Sequence, residues 1–284
     1  MRKYFYGWYI KCQSEEQTLA VIIAYHLSKE GKSASVQVIT DDEAFNFDYP
    51  FSDWYGDEKA FSFRVGENSL DESGMTIHLS QDGNEIEGKL KFGSFTPISY
   101  DIMGPFKAIP FLQCRHSVKS MFHTVDGSVT VNGKQFDFIN AKGYIEGDRG
   151  VSFPKVYSWT HTFFDEGSLM LSVADIPFGA FHFTGVIGVV YVNGVEHRIA
   201  TYHGAKAVSI ENSKVVVRQK EKILTAKLIE RRAYALKAPE SGNMTRTIRE
   251  SASCKACYRF QTKKRETICS FETDRASFEY EYPD

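Results

Sequence analysis

The sequence predicts an all-β protein made of two antiparallel, barrel-sized halves, and three observations carry that prediction. Aromatic residues make up 14% of the 284 residues, led by 22 Phe and 15 Tyr, an enrichment that suits pleated, half-buried strands. Tight-turn sequences recur between short β-rich runs: Glu30-Gly31, Asp82-Gly83-Asn84, Asp126-Gly127, Asn132-Gly133 and Asn193-Gly194. The last three follow Thr124-Val125, Val129-Thr130-Val131 and Val189-Val190-Tyr191-Val192, the pattern of hairpins closed by tight turns. Finally, no long stretch shows a clean 3.6-residue apolar period, which leaves little room for amphipathic helix. Regular hairpin spacing with little helix implies closed or nearly closed antiparallel barrels.

The elements follow in order. Leu19–His26 has enough apolar content for a helix, but its Val21-Ile22-Ile23 centre and the following Val36-Gln37-Val38-Ile39 run favour a hairpin of two strands. Gly93–Pro110, with Pro97, Pro105 and Pro110, reads as the long loop of the first half. Ala238–Asn243 is the corresponding break in the second, and Lys263-Lys264-Arg265 reads as a solvated hairpin turn. Two halves fit the length, residues 1–150 and 151–284, with the boundary in the stretch Gly143–Pro154.

Charge and motif content exclude several functional classes. Thirty-four basic and 36 acidic residues leave a net charge of −2, which gives no bulk attraction to nucleic acid or to an anionic membrane. Met1–Gln13 lacks an apolar signal core. The longest apolar run, Leu19–Tyr25, is far shorter than the roughly 20 residues of a membrane helix. Five scattered cysteines read as free thiols of a reducing compartment. The expectation is a cytoplasmic protein without stable membrane insertion, any membrane contact being transient.

Gly31-Lys32-Ser33 ends like a phosphate loop, but His26 stands where that loop requires Gly. Gly150-Val151-Ser152-Phe153-Pro154 ends in Pro rather than the Gly of a nucleophile elbow. Eight histidines include no His-x-His or His-Glu-x-x-His spacing, and Cys254-x-x-Cys257 has no second pair. A metal site would therefore have to be assembled from distant strands, and none is expected.

The most informative stretch is Gly143–Phe164, GYIEGDRGVSFPKVYSWTHTFF. After Pro154 the alternation places Tyr157, Trp159, His161 and Phe163 on one face and Ser158, Thr160 and Thr162 on the other. Upstream, an extended chain puts Tyr144, Glu146 and Asp148 on a shared face. A carboxyl group beside aromatic walls is desolvated, which raises its pKa and lets it serve as an acid. The plainer alternative stays open: Asp148 and Arg149 as a surface ion pair and Glu146 capping a turn.

This segment resembles the tocopherol cyclase-like proteins, whose pattern runs Tyr-x-Glu, a short spacer, Trp-Gly-x-Ser-Phe-Pro, then a Trp-rich strand. Tyr144, Glu146, Gly150, Ser152, Phe153, Pro154 and Trp159 stand at matching positions. Gly7-Trp8-Tyr9, Met103-Gly104-Pro105-Phe106, Cys114-Arg115-His116-Ser117, Ala238-Pro239 and Met244-Thr245-Arg246 extend the resemblance over most of the chain.

The resemblance implies two lipocalin-like halves, similar to carotenoid hydratases. It also implies proton-initiated closure of a ring on a prenylated quinol, without metal or redox cofactor. It suggests Glu146 or Asp148 as proton donor with Tyr144 as relay. Tyr157 and Trp159 would line the pocket, and His161 would orient the quinol hydroxyl or accept its proton. Arg149 and Phe163 complete the expected substrate contacts.

Four positions depart from the family pattern: Arg149 where it has Trp, Tyr157 where it has Trp, His161 where it has Gln and Phe163 where it has Asn. Two alternatives stand beside the cyclase or hydratase. One is a non-catalytic carrier of an isoprenoid or lipid in the same cavity. The other is a structural protein whose barrels are filled by their own side chains.

Overall fold

The computed structural model describes residues 3–110, 112–178, 181–232 and 234–283. Among them the chain is strand throughout, broken by three short 3-10 turns and containing no α-helix. No helix of the described residues is long and apolar enough to cross a membrane.

Strands β1 (Tyr4–Gln13), β2 (Thr18–Leu27), β3 (Lys32–Thr40), β4 (Ala44–Pro50), β5 (Trp54–Asp57), β6 (Ser62–Val65), β7 (Asn68–Asp71), β8 (Gly74–Gln81), β9 (Asn84–Phe92), β10 (Cys114–Val131) and β11 (Lys134–Gly150) form one sheet. Its order is β4-β3-β2-β1-β11-β10-β9-β8-β7-β6-β5, antiparallel at every pairing, so the only non-sequential neighbours are β1 and β11. A second sheet contains β12 (Tyr157–Phe164), β13 (Gly167–Phe178), β14 (Phe181–Val192), β15 (Val195–Ala200), β16 (Lys206–Glu211), β17 (Lys214–Gln219), β18 (Lys222–Glu230), β19 (Tyr234–Glu240), β20 (Asn243–Thr262) and β21 (Thr267–Tyr280). Its order is β15-β14-β13-β12-β21-β20-β18-β17-β16, and β19 pairs with β20 off this path. Both are nearly closed antiparallel barrel sheets of the lipocalin-like kind.

Two compact units result. Unit 1 comprises Met1–Ile98, Leu112–Phe153 and Leu236–Thr247, and unit 2 comprises Ser99–Phe111, Pro154–Ala235 and Ile248–Asp284. The loop read from Gly93–Pro110 thus divides, its later part grouping with unit 2. The break read at Ala238–Asn243 is a hairpin, turning at Ser241-Gly242 and grouping with unit 1. Each unit has its own core. In unit 1 it includes Tyr6, Ile10, Val36, Phe47, Phe138 and Ile145; in unit 2 it includes Leu171, Val190, Val217, Tyr258, Phe260 and Phe278.

Turn chemistry accounts for most of the hairpins. Asp82-Gly83, Asn132-Gly133 and Asn193-Gly194 all carry positive φ at both positions, the conformation of the two-residue turn that matches strand twist. Leu19–His26 is a strand paired with β3, as its β-branched centre predicts. Asp126-Gly127 is a correction: it is not a turn but lies inside β10, at a register shift between Val125 and Gly127. A Cβ on Gly127 would sit 2.2 Å from the Lys89 carbonyl oxygen. Glycine serves there for close approach of a neighbouring backbone.

Candidate active site

The carboxylates emerge from β11 by simple alternation. Ile145 points into the unit 1 core, so Tyr144, Glu146 and Asp148 share the opposite face. Across the β1 register, Lys11 stands opposite Tyr144, Tyr9 opposite Glu146 and Gly7 opposite Asp148. This second face is buried as well: Tyr144 is 0% exposed, Lys11 0% and Glu146 4%.

The fourth member comes from β10. A strict register from the Asn132-Gly133 turn would set Arg149 against His116. Three register shifts between Val118 and Gly127 instead bring Asp148 opposite His116. A one-residue slip moves a strand's whole side-chain set to the other face, so these bulges deliver His116 to the carboxylates. The Tyr144 hydroxyl donates to Glu146 Oε2 at 2.5 Å, and His116 Nε2 lies 3.0 Å from that same oxygen. His116 Nδ1 lies 3.0 Å from Asp148 Oδ1, to which the Cys114 thiol also donates at 3.3 Å.

The electrostatics follow from this bracket. Burial alone would depress the His116 pKa, but the facing Glu146 and Asp148 outweigh it and hold the imidazole well above its ordinary value. His116 is thus an imidazolium at neutral pH, its Nδ1 donating to Asp148 and its Nε2 in charge contact with Glu146. Burial and the neighbouring Glu146 push the Tyr144 hydroxyl well up, so it keeps its proton. Burial and Asp148 do the same for the Cys114 thiol, which makes it a poor nucleophile. The result is a proton chain, Tyr144–Glu146–His116–Asp148, rather than a covalent catalyst.

The same trio has ligand geometry. One donor atom each from His116, Glu146 and Asp148 lies within 4.8 Å of the others, a cluster that spacing rules on a single strand do not reveal. A divalent ion would have to displace the imidazolium proton to bind there.

In unit 2, Tyr157, Trp159, His161 and Phe163 occupy one buried face of β12. Ser158, Thr160 and Thr162 occupy the other, where Thr160 Oγ1 lies 2.6 Å from the hydroxyl of the core residue Tyr258. His161 meets Phe163 edge to face at 4.7 Å. The Tyr157 hydroxyl donates to Glu279 Oε2, and Glu279 stands across the register from Trp159.

The residues singled out from sequence therefore fall into two sets, one in each unit, with a single exception. Arg149 departs from the carboxylates: it points to the other face of β11, opposite Tyr6 in the register, and pairs with Glu58 at 3.1 Å. Alternation alone accounts for this, since Asp148 and Arg149 are adjacent on one strand. His116 and Glu279 were not singled out as site residues. Each comes from a strand paired with one that was, and only the register connects them.

Solved structures share this fold at very low sequence identity. CghA gives a TM-score of 0.58 at 10% identity, covering 99% of this chain and 89% of its own. Kievitone hydratase from Nectria haematococca gives 0.55 at 10% identity, covering 99% and 89%. An AttH candidate from Nitrosomonas europaea gives 0.54 at 9% identity, covering 100% and 94%. No family model and no curated protein matches the sequence. Likeness at this level establishes the fold.

Proposed function

We propose that this protein is an acid–base enzyme that adds an oxygen nucleophile across a carbon–carbon double bond of a prenylated, hydrophobic substrate. The nucleophile is a phenol of the same molecule, giving ring closure, or water, giving hydration. The observation that carries this reading is the convergence of the Tyr144 hydroxyl and the His116 imidazolium on one oxygen of the buried Glu146.

A histidine held well above its ordinary pKa is a loaded reservoir at neutral pH and, for the same reason, a weak acid. Docking an apolar substrate changes that balance. Expelling the water that still reaches Asp148 weakens the solvation of the buried ion pair, and the imidazolium proton shifts to Glu146, leaving two neutral groups. Glu146 then protonates the alkene carbon, and the cation forms at the more substituted carbon. The oxygen nucleophile attacks that cation and its proton returns to the cluster, restoring Glu146 and His116. Tyr144 holds Glu146 in place by its hydrogen bond, and Asp148 orients the imidazole. The motif resemblance to tocopherol cyclase-like proteins supports the prenylated quinol, and the neighbour named as a hydratase supports the water variant. In unit 2 the Tyr157–Glu279 pair, beside Trp159, His161 and Phe163, is a second candidate acid.

The test is incubation of purified protein with prenylated quinols, with products read by mass spectrometry. Cyclisation leaves the mass unchanged with a new retention time, whereas hydration adds one water. A positioned acid contributes about 10²–10⁴-fold, so Glu146→Gln should lower turnover by that factor while Glu279→Gln, as comparison, locates the acid. Turnover that survives Glu146→Gln and falls with Glu279→Gln would move the chemistry to unit 2. A co-purifying lipid that is never converted would leave the carrier reading. Turnover abolished by a chelator and restored by a divalent ion would assign the His116 trio to a metal instead.

A further inference from the structure

Among the described residues, His116, Glu146 and Asp148 are the one group of three whose donor atoms have metal-ligand spacing. The proton chain accounts for most of their contacts but leaves one over. His116 Nε2 lies 3.0 Å from Glu146 Oε2, yet it is buried without a hydrogen-bond partner. The separation suits a hydrogen bond, so it is the angle that fails. Nitrogen and oxygen ligands bound about 2.0–2.1 Å from one zinc ion lie roughly 3.0–3.4 Å apart and do not point at each other. This pair has that separation and is not aligned as donor and acceptor.

The surroundings of the pair are those of an ion's outer shell. His116 Nδ1 lies 3.0 Å from Asp148 Oδ1, and a carboxylate behind an imidazole fixes the tautomer that offers Nε2 to a metal. The Tyr144 hydroxyl donates to Glu146 Oε2 at 2.5 Å and holds that carboxylate in turn. Charge favours an ion as well. Two carboxylates beside a neutral imidazole balance one divalent ion, whereas beside an imidazolium they leave one negative charge over. From β1, Tyr9 stands opposite Glu146 and Gly7 opposite Asp148, while the buried Lys11 stands opposite the Tyr144 phenol. The Asp148 side chain is 24% exposed, which gives an ion its way in.

We infer that His116 Nε2 and Glu146 bind a divalent ion of the zinc type, with Asp148 orienting the imidazole, and that this ion inhibits the acid chemistry proposed above. Inhibition presupposes that chemistry; binding does not. An imidazole ligand selects zinc over magnesium. Two protein ligands leave the other positions to water, which makes the ion exchangeable and not a resident cofactor. As it binds, the Nε2 proton leaves to solvent and the nitrogen lone pair bonds to the ion. The nitrogen then has no proton to pass to Glu146.

The experiment titrates the full chain with zinc chloride, and with magnesium chloride for comparison, following both the heat and the His116 ring nitrogens by NMR. Saturable one-to-one zinc binding that moves the Nε2 resonance is expected, with no response to magnesium. His116→Gln and Glu146→Gln should each abolish it, and Asp148→Asn should weaken it about 10–100-fold, the usual cost of losing an outer-shell partner. Cys114 is the nearest competing ligand, its Sγ 3.3 Å from Asp148 Oδ1, and Cys114→Ser should leave zinc binding unchanged. Near-ultraviolet circular dichroism checks that each variant keeps its packing. Binding lost in Cys114→Ser and kept in His116→Gln would be capture by a thiol and would overturn the site. Absence of binding, or binding indifferent to all four substitutions (an adventitious ion only), would overturn it too. Turnover of a prenylated quinol should fall with the same half-saturation as the Nε2 shift and return on adding EDTA. Zinc on His116 with turnover undiminished would overturn the inhibition. Zinc on His116 in a protein that converts no quinol would uphold the site and remove the enzyme reading, whereas turnover in a protein whose His116 ignores zinc would do the reverse.

Discussion

Strands β1 and β11 bury both of their faces, and the two faces are unlike. One carries Tyr6, Ile10 and Ile145 into the unit 1 core. The other carries Tyr9, Lys11, Tyr144 and Glu146, which are just as buried. The apolar face stabilises the fold, each fully buried large side chain contributing about 1.5–3 kcal/mol. The polar face does not: desolvating charged groups offsets most of what their pairing returns. Burial alone therefore fails to separate scaffold from site in this sheet. What separates them is that one buried face satisfies its groups by contact and the other by an ordered chain of protons.

Paired substitutions can break this comparison. Phe47→Ala, on the apolar side, should cost about 3–5 kcal/mol in urea unfolding, and by the same amount at every pH. Glu146→Ala should cost a similar amount, about 3–5 kcal/mol, because it leaves a buried imidazolium facing one carboxylate instead of two. Its penalty, unlike the first, should depend on pH. The folded pKa of His116 is raised, so its stabilising contribution is complete below about 6.5, the unfolded value, and is lost as pH rises through the folded value. The cost of Glu146→Ala should shrink over that alkaline window. A pH-independent cost would show that His116 is not charged in the fold.

Histidine titrations sharpen the contrast within unit 1. His123 is buried between Phe92 and Phe95, at 4.9 Å from each ring centre, and burial lowers its pKa to about 4. Burial does the same to His26, also to about 4. Both contribute stability that is present above about 6.5 and is lost as pH falls through their folded values. Imidazole nitrogen shifts followed by NMR should show His116 protonated at pH 7.5, while His26 and His123 are neutral there. A neutral His116 at that pH would remove the reservoir. The smallest effect expected is from Asn132→Ala, about 1–2 kcal/mol from the left-handed turn position, read as a lowered urea midpoint. A change in the 3.0 Å His116–Asp148 contact would not accompany it, because the bulges and not the turn set that register.

Much of this molecule is legible in its sequence, and the reasons for the remainder are local. Asn132-Gly133 and Asn193-Gly194 mark hairpins because only a few residues tolerate positive φ at both positions. Asp126-Gly127 carries the letters of the Asp82-Gly83 turn for a different reason, a neighbouring carbonyl too close for a Cβ. Tyr144, Glu146 and Asp148 share a face because they are two apart on one strand. His116 belongs beside them only through bulges in β10, and a bulge leaves no dependable mark in composition or period. The face of Arg149 follows from alternation with Asp148, whereas its place in the family pattern, just before Gly150, says nothing about which face it takes.

The division of the chain has a consequence for how the protein is made. Unit 1 includes Leu236–Thr247, and within it the Gln37 side-chain amide donates to the Lys237 carbonyl at 3.1 Å, while Gly242 N–H donates to the Val151 carbonyl at 2.8 Å. Domains generally fold in order as they leave the ribosome, yet this one waits for a segment that emerges after most of unit 2 has been synthesised. Until then the first sheet has all its strands but not this packing segment, and the Gln37 amide is open to water or to another chain. Release of nascent chains stalled before and after residue 247 should show this as a step in protease resistance of the first 98 residues.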